Sequence, residues 1–497
     1  MYSFVLCSCL ALFATTEAAG PLAQIASGPA ACASLTSSLG ANKVISSQLN
    51  PNYIETTYNY WNSKQSQYTP SCIVYPVSSQ DVSISLKAIK AAGSRFAIKA
   101  GGHNPNTFYS SVEDGVLISL EKMTTRSYDS KTTLATYQPG GTFGDIYEYF
   151  LQYHRTVVGA RLAGVGTGLA LGGGLSFLSG QYGMAVDSFR ELEVVLPSGD
   201  IVTASATKNP DLFFACKGGG GNAYGVVTKY TVQSRPAGTF YAGNLIYALQ
   251  QNNDVLEAIG NFTSYNTDPK ASIIGTYEKL LTPETDFNLD SAIVMFLVYD
   301  GPDPGKAFDN FTKLNPLINT MGQKNYLEVV NMPIPLSTQI TRGYNIFRVA
   351  VHGDPASDQG FIAHYNAWDA WCEANKGDYV LSSVDFQPIA KSLTDASKTQ
   401  GGNAMNMPSG PWIWLNFLIN TPPTQSNGTY NAVQESFRDM VNSVQNKAGL
   451  PLFLNDANYD QNPLKTFSTY RKLQTLKKRY DPDGFFAKHT GGWNFNA

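Results

Sequence analysis

Three glycine-rich segments fall between residues 101 and 225. They read GGHN at 101–104, GVGTGLALGGGLSFLSGQYG at 164–183 and KGGGGNAYG at 217–225. The middle one carries eight glycines in twenty residues. Glycine costs about 1 kcal/mol per residue inside a helix, so such a stretch is not part of a helical bundle. Without a Cβ, backbone N–H groups can approach a ligand closely. Successive N–H groups in such turns form concavities that bind anions, and a diphosphate is the natural guest. Two common diphosphate sites are excluded. There is no G-x-G-x-x-G, which a Rossmann site needs between strand and helix, and no G-x-x-x-x-G-K-[ST]. Pro105 and Pro139 follow two strands closely, so the first loop leads into another strand. The sequence therefore points to a nucleotide cradle of another kind. The plain reading, that these glycines only serve tight turns in a β-rich fold, is weakened by three such loops lying so close together.

Composition narrows the class further. The 497 residues are 43% hydrophobic and 12% aromatic, enough for a large core. With 35 basic against 38 acidic residues the chain has no overall electrostatic footprint for nucleic acid. No apolar run reaches the roughly 20 residues of a membrane-spanning helix. Residues Phe4–Ala14 are apolar and are followed by Ala18, Ala19 and Gly20. This reads as a signal peptide, residues 1–19, of a secreted protein. Three sequons, at Asn261, Asn310 and Asn427, agree with that route. Cys7 and Cys9 would leave with the signal. The four remaining cysteines allow three full pairings. A Cys32–Cys72 disulfide would staple an N-terminal arm to the first strand. Cys216 and Cys372, in an apolar run and on a helix, read as buried thiols.

Along the chain, residues 20–67 form a polar, turn-rich arm. CIVYP, RFAIKA and GVLISL read as strands, with a helix capped by Ser79 and closed by Gly93 between the first two. TLATYQPG, FRELEVVLPSG and GVVTKYTV are further strands, and FGDIYEYFLQYH is a helix. From residue 239 to 450 the pattern becomes long strands (NLIYALQ, ASIIGTYEKL, SAIVMFLVYD, NIFRVAVHG, YVLSSVDF, PWIWLNFLI) alternating with helices. The helices are DVLEAIGNF, KAFDNFTKL, GFIAHYNAWDAWCEAN and YNAVQESFRDMVNSVQ. The expected class is α+β, with a second domain of one large sheet and flanking helices. A last segment, 451–497, is aromatic.

His103 lies inside the first glycine loop, directly after a strand, and is one of only five histidines. A neutral imidazole is a nucleophile. Beside an isoalloxazine it could attack the benzenoid methyl carbon and tether the ring. Equally, it could be a loop histidine bonded to a backbone carbonyl.

The runs KAGGHNPNTFYSSVEDGVLISL, GARLAGVGTGLALGGGLSFLSGQYGMAVDSFRELEVVLPSGDIVTA and DLFFACKGGGGNAYGVVTKYTV closely resemble FAD-linked oxidases of the vanillyl-alcohol oxidase superfamily. Those carry the p-cresol methylhydroxylase-type FAD-binding domain. The tail LNDANYDQN…YDPDGFF is similar to the berberine-bridge-enzyme-like branch, in particular its secreted fungal members. The resemblance implies an FAD-binding domain of two α+β subdomains at 68–238 and a substrate domain with a large antiparallel sheet at 239–450. The segment 451–497 would return to the FAD domain. It places His103 at the flavin-attachment position. It implies that Lys99, Gly101, Gly102 and Asn104 belong to the cofactor site, with Gly140 on a second loop. Gly164, Val165, Gly166, Thr167 and Gly168 would line the flavin's other side, and Val226 would meet the flavin or adenine. Many relatives add a second link through a Cys before the V-G-V-G loop. Here that stretch reads Gly159-Ala160-Arg161-Leu162-Ala163-Gly164, so a single histidyl bond is expected. This tilts the substrate toward small metabolites and away from oligosaccharides. The Asn-Tyr-x-Asp pattern of the family appears as Asn455-Asp456-Ala457-Asn458.

The activity so implied is an oxidase. Hydride passes from a small organic substrate to covalent FAD, and O2 returns the flavin to its oxidised state with release of H2O2, in fungal secondary metabolism. Asp456 is the candidate base, with Tyr344 and His352 behind it; each also has a plain structural reading. No metal-ligand spacing and no serine-hydrolase elbow occur. The expected partners are substrate and O2, and the expected state is a monomer. A carbohydrate or alcohol oxidase, a dehydrogenase using another acceptor, and a secreted non-catalytic binding glycoprotein are the competing readings.

Overall fold

The computed structural model describes residues 27–221, 223–280, 291–333, 343–356, 359–445, 449–493 and 495. The expected signal peptide at 1–19 lies outside them.

The first sheet contains β1 (Val44–Ile45), β2 (Cys72–Val74), β3 (Phe96–Lys99) and β4 (Val116–Ser119), in the order β1-β2-β4-β3. The last three are parallel, and β1 joins the edge antiparallel. A parallel step needs a crossover, which the helix Ser79–Ala92 supplies by burying Val82, Leu86 and Ile89. Its cap is Ser78, one residue before the expected Ser79. Ser78 is the last residue with extended backbone, and its hydroxyl accepts from the Asp81 N–H at 3.2 Å. Gly93 ends the helix at φ +65°, in the left-handed region. Residues 27–67 are more than an arm. The helix Gly28–Leu39 packs Ala31 and Leu35 into the core, and the Cys32–Cys72 disulfide ties it to β2.

The second sheet is antiparallel. Its strands are β5 (Arg126–Asp129) and β6 (Leu134–Tyr137), then β8 (Phe189–Val195), β9 (Ile201–Ser205) and β10 (Val226–Gln233), after the short β7 (Arg155–Thr156). The order is β5-β6-β10-β8-β9, and β7 pairs with β11 (Arg235–Pro236).

The third sheet is large and wholly antiparallel. It holds β12 (Phe240–Tyr247), β13 (Ala271–Leu280), β14 (Ser291–Tyr299), β15 (Ile318–Asn319), β16 (Gly322–Lys324), β17 (Tyr344–His352), β18 (Leu381–Ile389) and β19 (Trp412–Thr421). The order is β15-β12-β14-β13-β18-β19-β17, with β16 also on β12. Period-two alternation divides its side chains between two faces. Tyr277, Met295, Val384, Phe386, Leu415 and Phe417 point to the helices Asn252–Tyr265, Ile362–Ala374 and Asn427–Val444 and close a core with them. The other face looks toward the first half of the chain. The expected helix at 306–314 shrinks to Asp309–Thr312; Phe308 and Phe311 are fully buried, while Ala307 and Leu314 are only partly covered.

The C-terminal segment packs on the first half. The helix Tyr470–Tyr480 lies against Pro210–Cys216, and Phe485 and Phe486 pack on Phe96. The Asp481 carboxylate accepts from the Phe485 and Phe486 N–H groups and from Lys477 Nζ at 2.6 Å.

Candidate active site

The three glycine loops converge on one trough. It encloses about 960 Å³, part of it open to solvent. A Cβ on Gly166 would stand 2.3 Å from the Gly101 nitrogen, and one on Gly101 would stand 2.7 Å from the Gly166 Cα. The two loops can pass only because both positions lack side chains. Gly168 is the opposite case. It lines the trough, yet a Cβ there would meet no atom within 4 Å. The missing side chain leaves room for a ligand rather than for the protein.

Gly101, Gly102, His103, Asn104, Val165, Gly166, Thr167, Gly168 and Val226 all line this trough. Three expected residues do not. Lys99 sits between Ile98 and Ala100, which face the trough, so strand alternation turns it away. Its ammonium donates to the Thr56 carbonyl at 2.5 Å and lies 4.0 Å from the Tyr60 ring centre. At Gly140 a Cβ would meet the carbonyls of Met123, Leu120 and Glu121, and the neighbouring Pro139 lines the trough instead. Gly164 is exposed with open space around it.

No carboxylate lines the trough among the described residues. A diphosphate fits such walls. Glycines from all three loops line the trough and leave its backbone bare, and no side-chain anion repels a phosphate.

A second cavity, of about 1390 Å³ and partly open, lies under the free face of the third sheet. His103, Val165, Leu169 and Asn455 line both spaces, so the two meet there. The His103 imidazole stacks on Trp61, with centroids 4.9 Å apart and planes 11° apart. Burial lowers its pKa to about 4, so the ring is neutral at neutral pH.

The walls of the second cavity are largely apolar, and its polar groups gather at one end. Strand register explains how. Thr276 on β13, Asp385 on β18 and Asn416 on β19 are cross-strand neighbours in one row. Glu278 and Ser383 form the next row. Gln387 lies two residues beyond Asp385 on the same face. Asp456 reaches this end from the C-terminal segment, and Arg161 from the loop before Val165. Gln387 Nε2 donates to Asp456 Oδ2 at 2.9 Å, and Arg161 donates to Gln387 Oε1. Asn416 Nδ2 donates to Asp385 Oδ2 at 3.2 Å. Burial pushes the Asp385 carboxyl up to about 6; the charge of Asp456 adds to the rise, and Thr276, Arg161 and Asn416 oppose it. Burial also raises Asp456, against the pull of Gln387 and Arg161. Two carboxyls with raised pKa beside one guanidinium can accept a proton near neutral pH.

Tyr344 and His352 are elsewhere. Tyr344 starts β17, where its hydroxyl donates to the Pro423 carbonyl at 3.0 Å and its ring packs edge-on against Tyr430. His352 ends β17, on the helix side of the sheet, edge-on to His364 with centroids 5.5 Å apart. Sequence reasoning missed Trp61, Glu278, Asp385 and Gln387. Polar residues at alternate positions of VLSSVDFQ were the signal, but in an isolated strand they read as a solvated face.

Comparison with known proteins agrees with this geometry. The family model described as "FAD binding domain" matches residues 70–205. An uncharacterized FAD-linked oxidoreductase of Arthroderma benhamiae is 34% identical, over 88% of this chain and 89% of its own. An FAD-dependent monooxygenase of Arthrobotrys oligospora is 32% identical, over 85% and 81%. The solved structure of berberine bridge enzyme from Eschscholzia californica is 15% identical but shares the fold. Its TM-score is 0.74, over 94% of this chain and 100% of that one. The glycine cradle, the fold shared with berberine bridge enzyme and the full-length likeness to the Arthroderma relative together place the chain among the FAD-linked oxidoreductases and make it an FAD-dependent enzyme.

Proposed function

We propose that this protein is an oxidase that holds FAD covalently through His103, oxidises a small, largely apolar metabolite and passes the electrons to O2. The observation that carries the reading is the meeting of the glycine trough and the apolar cavity at His103. Bound FAD would supply a two-electron acceptor for substrate hydride and a route from there to O2, giving H2O2.

The chain's own residues supply the rest. Gly101, Gly102, Asn104, Gly166, Thr167 and Gly168 hold the cofactor through backbone and small side chains. The neutral His103 imidazole offers a ring nitrogen as nucleophile. The stretch Gly159-Ala160-Arg161-Leu162-Ala163-Gly164 offers no Cys for a second link, so His103 is the single anchor. The apolar walls around Leu175, Phe177, Phe296 and Phe347 exclude water and orient a flat substrate. The Asp385–Asp456 pair accepts the substrate's hydroxyl or amine proton. Arg161 opposes the burial that raises both carboxyls, and Gln387 fixes Asp456 in place. Tyr344 and His352 take no part, because their side chains lie outside the cavity.

The test is the visible spectrum of acid-precipitated, washed protein beside a His103→Ala variant. Flavin absorbance retained by the wild-type pellet and lost from the variant is expected. Colour in the supernatant alone would remove the covalent bond from the reading. Equimolar H2O2 with a product free of new oxygen separates an oxidase from a monooxygenase, the activity named for the Arthrobotrys relative. Secretion belongs to the same proposal. Asn310 and Asn427 are exposed, Asn261 is half-buried within a helix, and mass spectrometry of glycopeptides reads all three.

A further inference from the structure

We infer that Trp61 is the positioning residue that sets His103 for attachment to the flavin. The inference rests on the reading that His103 is the attachment point, and it goes beyond that reading by naming what aims the ring.

The first glycine loop cannot aim His103 by itself. Residues 101–106 form neither helix nor strand, and Gly102 is in the left-handed region at φ +68°. The loop is held from outside, by a segment of chain about forty residues earlier. The Trp61 N–H donates to the Gly102 carbonyl at 3.2 Å. Gln65 Nε2 donates to the Asn104 carbonyl at 2.6 Å, and Asn62 Nδ2 donates to the Pro105 carbonyl at 2.6 Å. Both neighbours of His103 are thus clipped to residues 61–65. The clip is in turn fixed to the substrate sheet. Asn345 Nδ2 donates to the Trp61 carbonyl at 2.8 Å, and the Asn345 N–H donates to Asn62 Oδ1 at 3.1 Å.

The indole completes the device. It lies nearly parallel to the imidazole, 11° between planes, and covers one face of it. The indole also packs against Phe347 of β17, with centroids 4.9 Å apart and planes 38° apart. Rotation of the imidazole out of this plane would break the stack and drive the ring into the indole. One face is therefore closed, and the ring's orientation at the junction of the two cavities is fixed.

Attachment needs that orientation. A bond forms between a ring nitrogen of His103 and a methyl carbon of the isoalloxazine. The N–H and one methyl C–H are broken, two electrons and two protons remain on the cofactor, and O2 removes them as H2O2. Such a step requires the reacting atoms about 3–3.5 Å apart and aligned, and misplacement of about 1 Å costs roughly 10²-fold. A histidine free to turn spends little time in the reactive pose.

The experiment compares wild type, Trp61→Phe and Trp61→Leu. Each purified protein is incubated with added FAD in air. Total flavin is measured by absorbance, and tethered flavin by fluorescence of the denatured band. For Trp61→Leu, total flavin within about twofold of wild type and tether formation slowed by roughly 10-fold or more are expected. Trp61→Phe, which keeps a flat ring, should recover most of the rate. A merely structural loss would lower total flavin and the thermal midpoint together, without a selective effect on the tether. That pattern, or equal tethering in Trp61→Leu and wild type, overturns the inference. Should Trp61→Leu fail to fold, Trp61→Met, which also lacks a flat ring, carries the test, and a tethering rate equal to wild type overturns the inference. Wild-type protein that releases all its flavin fails at an earlier step and removes the His103 reading together with this one.

Discussion

Single glycines in the cradle have separable jobs, and alanine tells them apart. At Gly166 the added Cβ would stand 2.3 Å from backbone that has nowhere to move. Gly166→Ala should misfold or lose several degrees of thermal midpoint, because the loops at 101 and 166 are forced apart. At Gly168, which lines the trough, no protein atom lies within 4 Å of the added methyl, so only a ligand would meet it. Gly168→Ala should keep its thermal midpoint as flavin-free protein and yet bind FAD at least 10-fold more weakly, read by flavin titration. If both variants bind FAD as wild type does, the trough is not the cofactor site. His103 behaves as the sequence led one to expect in position, whereas Lys99 does not. Position in the chain is set by the motif, but which side of the strand a residue faces is set by pairing, and one place along β3 reverses it.

Two ties hold whole elements in place. The Cys32–Cys72 disulfide closes a loop with a sequence separation of 40. Loop-closure entropy for that length gives about 4 kcal/mol. Replacing both cysteines by serine should lower the urea midpoint accordingly, with little change in flavin content, since neither cysteine lines the trough. The Lys477–Asp481 pair is different. Both side chains are buried, and Lys477 Nζ also donates to the Ala223 carbonyl at 2.6 Å, in the third glycine loop. Asp481→Ala leaves a buried ammonium without its partner, at a cost of about 3–5 kcal/mol. It should also release flavin, because the loop loses its outside support. Loss of stability with flavin binding unchanged would show that the third loop holds itself. The helix Ser79–Ala92 and the strands around it were legible because cap, period and stop signals agree locally. The short helix at Asp309–Thr312 was overread, because, of the apolar residues there, only Phe308 and Phe311 are fully buried.

The polar end of the cavity belongs to the whole molecule. Arg161 comes from the FAD-binding half, Asp385 from the substrate sheet and Asp456 from the C-terminal segment. Burial raises Asp385 to about 6, so its ionised fraction, and the rate that depends on it, grows as pH rises through that value. Below it the rate should fall about tenfold per pH unit. Asp385→Asn should lower kcat by roughly 10²–10⁴-fold and flatten this limb. Stability moves the other way. A carboxyl whose folded pKa is raised contributes stability below its unfolded value of about 4, and that contribution is lost as pH rises through about 6. Asp385→Asn should therefore raise the thermal midpoint at pH above about 6 while it slows turnover. A variant both slower and less stable across the whole pH range would make Asp385 a packing residue rather than a proton acceptor.

The sequence by itself determined the class of cofactor and the two-part architecture. Both rest on local chemistry. Glycine runs after strands leave backbone bare for a diphosphate, and strand and helix periods are written residue by residue. It also marked His103 and Asp456 as candidates, since both sit in motifs that can be read along the chain. Only the tertiary structure decided what surrounds them. Trp61 reaches His103 from another segment, and Asp385 and Gln387 look like a solvated strand face until the FAD-binding half covers them. Tyr344 and His352 were set aside for the same reason. Burial and contact across a sheet depend on which surfaces pack together, and that information is shared among distant segments rather than held in any one of them.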